Sequence, residues 1–194
     1  MTSKGAALVT GGAKRIGRAI ACDLAGKGWP VGIHFHHSEN DANTVVAEIT
    51  AAGGTAGALG ADLADPAATE ALIGQATAAL GPVTALINNA SAFEHDSITN
   101  FPIERWDSHL DINLRAPAIL TKVFAAVMPE NLNGNIINLI DQRVWNLTGE
   151  FLSYSVSKVG LWGLTQMSAI ALAPRIRVNG IGPGPVLRST RQSA

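Results

Sequence analysis

The amino-acid sequence predicts an α/β fold: a single domain built on a doubly wound parallel sheet with helices on both faces. Three observations carry this prediction. Apolar runs of strand length alternate with stretches of helical periodicity along the chain. Of its 194 residues 47% are hydrophobic and only 5% aromatic, so the core must be aliphatic, as in strands buried on both faces. A glycine-rich turn, Thr10-Gly11-Gly12-Ala13-Lys14-Arg15-Ile16-Gly17, follows the first apolar run directly.

In chain order the pattern gives strand Ala6–Val9, helix Arg15–Gly26, strand Val31–Phe35, helix Asp41–Ala52, strand Ala56–Gly60 and helix Pro66–Leu80. Strand Ala85–Ile87, helix Ile103–Met128, strand Asn135–Ile140, helix Phe151–Ala173 and strand Ile176–Ile181 complete it. Gly28 and Gly53-Gly54 supply helix stops, and Asp65-Pro66 reads as an N-cap followed by a proline at the first helical position. Strands alternating with helices imply right-handed crossovers. After Gly182-Pro183-Gly184 only ten residues follow. The last strand is therefore expected to be an exposed edge, with a substrate lid and a further strand absent. The polar segment Val186 to Ala194 is expected to be the mobile stump of that lid.

Composition excludes several functions. A net charge of −1 without a Lys/Arg run gives no footprint for nucleic acid or an anionic membrane. The lone Cys22 can form no internal disulfide and sits in no metal-ligand spacing. No metal site is read at the histidines either: His34 and His36 face one side of their strand, His37 the other, and no third ligand is evident. With no signal-peptide core and no apolar stretch of about 20 residues, a cytoplasmic protein is expected.

Two motifs suggest hydride and proton chemistry. Gly11, Gly12 and Gly17 permit a tight turn and close approach of backbone to a pyrophosphate, which would sit on the N-terminus of the following helix. Tyr154-Ser155-Val156-Ser157-Lys158 places a phenol and an ammonium one turn apart on one helix face. A nearby cation is expected to favour the phenolate and so to acidify the phenol. The second strand ends in His34-Phe35-His36-His37-Ser38, with no acid before Glu39 to accept from a ribose 2′-hydroxyl. Lys14 and Arg15 in the first turn then favour a 2′-phosphate, hence NADP(H), with His37 and Ser38 able to hydrogen-bond it. His36 belongs to the same end of the strand. Asp62-Leu63 is positioned to touch the adenine and Asn88-Asn89-Ala90 to line the nicotinamide ribose.

Gly11 to Gly17, Asn88-Asn89-Ala90, Asn113, Tyr154, Lys158 and Pro183-Gly184 stand in the order and spacing of the short-chain dehydrogenases/reductases, which the chain resembles over nearly its whole length. That resemblance implies a Rossmann-type fold, cofactor contacts from Gly11 through Ile16 and Gly17 to Lys158, Pro183 and Gly184, and a homotetramer or dimer. It also implies that Asn113 kinks its helix and holds a water linking Lys158 to solvent. The departures narrow it. Arg15 replaces the middle glycine, Asp141 replaces the usual Ser thirteen residues before the Tyr, and Ser91-Ala92-Phe93 follows Asn-Asn-Ala. These are similar to the pteridine reductases, whose subgroup has an Arg where His37 stands. The resemblance assigns Arg15 to cofactor phosphate and pterin, Ser91 to both, Phe93 to stacking on the pterin, and Asp141 with Tyr154 to proton delivery.

Physics favours the same reading. A carboxylate opposes the alkoxide that develops in ketone reduction but suits protonation of a ring nitrogen when hydride enters a C=N bond. A carbonyl reductase of the 3-oxoacyl or sugar type, and a non-catalytic NADP(H)-binding regulator, stay open as alternatives. The long helices carry apolar residues beyond one face (Ala116, Ala118, Leu120, Ala125 and Ala126; Val159, Leu161, Leu164, Met167 and Ala169), so a helical interface between copies is expected.

Overall fold

The computed structural model of the chain describes residues 5–184; the segment expected to form the lid stump lies outside them. Six parallel strands, β1 (Ala6–Val9), β2 (Val31–Phe35), β3 (Ala56–Gly60), β4 (Val83–Asn88), β5 (Gly134–Leu139) and β6 (Ile176–Ile181), lie in the order β3-β2-β1-β4-β5-β6. The order reverses between β1 and β4, so a crevice opens there beyond the carboxyl ends of the strands.

Period-two alternation builds two cores from the same strands. Ala6, Leu8, Leu86 and Ile136 point to one face, and Ala7, Val9, Ala85 and Ile87 to the other. The first face is covered by α3 (Pro66–Leu80), α5 (Ala116–Val127) and α6 (Leu152–Leu172), the second by α1 (Arg15–Gly26) and α2 (Glu39–Ala51). Asp65 caps α3 by accepting from the Ala67 N–H at 2.8 Å, with Pro66 next, as the sequence predicts. A buried polar ladder ties β4, β5 and α6: Asn88 donates to Asn138 at 2.7 Å, and Asn138 donates to Thr165 at 2.8 Å. Both amide nitrogens donate along the ladder, which fixes strand and helix register, while the buried Asn88 Oδ1 accepts from no group among the described residues.

Several boundaries differ from those expected. α2 starts two residues earlier, at Glu39, and β4 is longer at both ends. The expected single helix Ile103–Met128 is α4 (Ile103–Leu110), a π-helical turn Asp111–Arg115, and α5. Wide turns of this kind concentrate at functional sites because the extra residue redirects side chains. Of the residues expected to pair with another copy, Ala116 and Leu120 instead belong to the core on the first face of the sheet, and Leu161 is buried. Among the described residues β6 pairs with β5 alone.

Candidate functional site

The crevice at the β1/β4 reversal forms a cavity of about 450 Å³ lined by Gly11, Lys14, Arg15, Ile16, Gly17, His36, Asp62, Leu63, Asn89, Ala90 and Ser91. Its glycines are obligatory. Gly11 has φ 62°, and a Cβ at Gly17 would lie 2.1 Å from the Gly11 carbonyl oxygen. Arg15 also adopts a left-handed conformation, φ 49°, so the backbone keeps a glycine-like shape where the sequence has replaced the glycine. The wall opposite is pinned to this turn: Asn89 donates to the carbonyls of Thr10 at 2.8 Å and Gly11 at 3.2 Å, and the Thr10 hydroxyl accepts from the N–H groups of Asn89 and Ala90.

A buried imidazole that the sequence reading had left unused holds the turn from beneath. His34 Nδ1 accepts from the Gly11 N–H at 3.0 Å, and Nε2 therefore donates to the Ala61 carbonyl at 3.1 Å. Burial pushes its pKa down to about 4, so it is neutral and the tautomer is set. His36 stacks on His37, with ring centroids 3.5 Å apart, and faces Asp62 at 3.8 Å. His37 and Ser38 lie beyond the cavity lining. Lys14 pairs with Asp41 at 3.0 Å, so part of the positive charge expected for a 2′-phosphate is already compensated.

The second cluster lies past Ala92. Tyr154, on the first turn of α6, donates to Asp141 Oδ2 at 2.7 Å, while Asp141 Oδ1 accepts from the Arg143 N–H at 2.8 Å. Lys158, one turn on, donates to the Leu139 carbonyl at 2.8 Å, its Nζ 5.7 Å from the Tyr154 ring centroid. Burial lowers the Lys158 pKa to about 8. The expected acidification of Tyr154 is absent from this arrangement. Burial first, then the hydrogen bond and charge of Asp141, raise its pKa far above that of an ordinary phenol, and the nearby Arg143 offsets this only in part. The physical reason is the accepting carboxylate: it holds the proton on the phenol.

Asn113, in the π-helical turn, is fully buried. It donates to the Ala92 carbonyl and to Ser157, and accepts from the Ala92 N–H. It thus joins the loop after β4 to α6. Phe93 stacks on Phe151 at 4.7 Å and meets the Tyr154 ring edge-on at 4.6 Å. Pro183 and Gly184 continue from β6 beside this cluster, where a Cβ on Gly184 would meet Gln142 at 3.3 Å.

Sequence reasoning missed a third constellation. Glu94 N–H donates to His109 Nε2 at 3.0 Å, His109 Nδ1 donates to the Ser153 hydroxyl at 2.6 Å, and Ser153 donates to Asp96. The chain crosses from the loop behind Phe93, through α4, to the residue before Tyr154. Its members are far apart in sequence and follow no local pattern.

The cofactor-loop geometry, the Tyr/Lys pair and the sheet order coincide with a match of residues 5–194 to the family described as short chain dehydrogenase. The chain belongs to the short-chain dehydrogenase family. A 3-oxoacyl-(acyl-carrier-protein) reductase from Synechocystis sp. is 33% identical over 179 residues, 92% of this chain and 72% of that relative. Among solved structures, the FolM alternative dihydrofolate reductase 1 from Brucella canis complexed with NADP is 44% identical, with a TM-score of 0.95, covering 100% of this chain and 76% of that one. A short chain dehydrogenase from Burkholderia cenocepacia in complex with NADP is 35% identical, with a TM-score of 0.88, covering 93% and 74%. For a dinucleotide of this family the residues present fit: Gly11 and Gly17 leave room for backbone approach, and the N-terminus of α1 faces the cavity. Among the described residues no helix is long and apolar enough to cross a membrane.

Proposed function

We propose that this short-chain oxidoreductase is an NADPH-dependent reductase of pterins or dihydropterins. The observation that carries this reading is the Asp141 carboxylate hydrogen-bonded to Tyr154 at 2.7 Å beside an aromatic face, Phe93, in contact with the Tyr154 ring. Bound NADPH would supply the hydride to the carbon of a ring C=N bond. The adjacent nitrogen must gain a proton, and Tyr154, whose hydroxyl is hydrogen-bonded to Asp141, would deliver it together with that carboxyl group. Asp141, whose second oxygen is fixed by the Arg143 N–H, orients that hydroxyl. Lys158 would hold the ribose hydroxyls of the nicotinamide half, and Arg15 and Ser91 the phosphate and the pterin.

The absence of an acid between Phe35 and Ser38, together with neighbours solved with NADP, supports the phosphorylated cofactor. The 33% identity to a 3-oxoacyl reductase supports a second reading, reduction of a carbonyl. Against it stands the charge of Asp141, which would face a developing alkoxide.

The test is NADPH oxidation with dihydrobiopterin, dihydrofolate and a β-ketoester measured side by side, in wild type and Asp141→Ala. Pterin turnover by wild type alone, with NADPH affinity unchanged in the variant, is expected. NADPH should also bind about tenfold tighter than NADH, roughly 1.4 kcal/mol. Preferred turnover of the ketoester, or a gain in pterin turnover on Asp141→Ser, would remove the carboxylate from the chemistry.

A further inference from the structure

We infer that Asp41 tempers the cofactor preference of this protein: by pairing with Lys14 it restrains a cation that would meet a 2′-phosphate, and so narrows the gap between NADP(H) and NAD(H). The inference rests on a dinucleotide occupying the cavity at the β1/β4 reversal and is independent of which substrate is reduced.

Two cavities share a wall at this point. Lys14 and Arg15 line the cofactor cavity of about 450 Å³. The same two residues, with Arg18, Asp41 and Thr44, line a second cavity of about 320 Å³ between α1 and α2. The connector His36-His37-Ser38 leads from β2 directly into α2, whose first turn carries Asp41. Asp41 thus stands across the seam from the cofactor, where its charge reaches Lys14 first.

The other polar groups of the second cavity are engaged within the fold. Arg18 pairs with Glu48 at 2.5 Å, and the Thr44 hydroxyl donates to the Asn40 carbonyl at 2.8 Å. Lys14 pairs with Asp41 at 3.0 Å, and both side chains are about half exposed. A pair exposed to that degree is weakly held, so a more highly charged anion can draw the ammonium away. A phosphate monoester, close to doubly ionised at neutral pH, is such an anion. Moving Lys14 to it breaks the pair and leaves the Asp41 carboxylate beside a second negative group. That penalty falls on the phosphorylated cofactor alone, because NAD(H) carries a neutral hydroxyl at the same place.

Asp41 acts on the end of α2 as well. The first N–H groups of a helix present partial positive charge, which attracts anions. Ser38 stands at the cap position without a side-chain hydrogen bond to that turn. Among the described α-helices only α2 carries two acids in its first turn, Glu39 and Asp41. They stabilise the helix and at the same time cancel the positive end that a phosphate would use. At Asp41, helix stability and phosphate affinity therefore pull in opposite directions.

The experiment titrates NADP+ and NAD+ into the full chain by calorimetry, at low and at high salt, in wild type, Asp41→Asn, Asp41→Glu and Glu39→Gln. Asp41→Asn should bind NADP+ about threefold tighter at low salt, with NAD+ affinity within about twofold of wild type, and should lose most of that gain at high salt. It should also melt at a slightly lower temperature, the opposite sign to its gain in affinity. Asp41→Glu should behave as wild type, and Glu39→Gln should gain less than Asp41→Asn, since Lys14 is paired to Asp41. Unchanged or weaker NADP+ binding in Asp41→Asn overturns the inference, as does an equal gain for NAD+. A gain in Glu39→Gln as large as that in Asp41→Asn overturns the pairing with Lys14 as its cause. Failure of the wild-type protein to bind either dinucleotide removes the cofactor assignment itself, and the inference with it.

Discussion

Arg15 bears two demands at one position. Its backbone lies in the left-handed region, φ 49°, where the family's glycine would rest without strain, while its side chain lines the cofactor cavity. Such a conformation costs about 1 kcal/mol or more for a residue with a Cβ. Arg15→Gly should therefore match or exceed the wild-type melting temperature while losing about tenfold in NADPH affinity, roughly 1.4 kcal/mol. Thermal melts and a cofactor titration read both arms; lower stability with undiminished affinity would contradict the assignment. The motif was legible in the sequence as a replaced glycine. The strain was not, because φ is decided by how the turn closes between β1, Asn89 and His34. The same limit applies to Tyr154: i, i+4 spacing put Lys158 nearby, but the folded chain put Asp141 nearer and reversed the direction of the pKa shift.

Between elements, the buried chain from Glu94 N–H through His109 and Ser153 to Asp96 couples the loop bearing Phe93 to the start of α6 bearing Tyr154. His109 must stay neutral for this, since Nε2 accepts from a backbone N–H. Burial lowers its pKa, against the opposing charges of Asp96 and Glu94 and with that of Arg105. In the unfolded chain the imidazole titrates near 6.5. The folded form binds its proton less readily, so this contribution to stability is complete above about pH 6.5 and declines as pH falls below it. His109→Gln keeps an acceptor and a donor without the titration, and should lose less stability and activity between pH 7.5 and 5 than wild type. His109→Leu, which leaves the Glu94 N–H and Ser153 without partners, should cost about 2 kcal/mol at neutral pH. Chemical denaturation at several pH values measures both, and identical acid sensitivity of wild type and His109→Gln would refute the coupling.

At the scale of the whole molecule, α6 carries a second apolar stripe opposite its buried face: Val156, Val159, Met167 and Ile170, the last two 69% and 82% exposed. Gly163 lies on the same stripe with open space around it. A helix apolar on two sides buries both when it can, and a two-fold pairing of α6 with its copy would do so. We expect a dimer or tetramer by light scattering at micromolar concentration, and dissociation in the double variant Met167→Glu, Ile170→Glu. A wild-type monomer under those conditions would exclude the interface. The expectation was drawn from a wider set of residues, and the fold removes Ala116, Leu120 and Leu161 from it because they are buried within the subunit.

By itself the sequence determined the architecture, and it put forward the candidate chemistry-bearing residues. Alternating apolar runs, an aliphatic composition, glycines at fixed offsets and the Asp65 cap are local features, and local features are set by backbone sterics and side-chain periodicity. Tertiary structure decided what those features meet. It brought His34 under the cofactor turn, 23 residues from Gly11, and His109 to Ser153 across 44 residues. It widened one turn of the expected long helix so that Asn113 holds Ala92, and placed Arg143 over the ring of Phe151. These contacts depend on burial and on how separate elements pack, and neither quantity is defined until the chain has closed on itself.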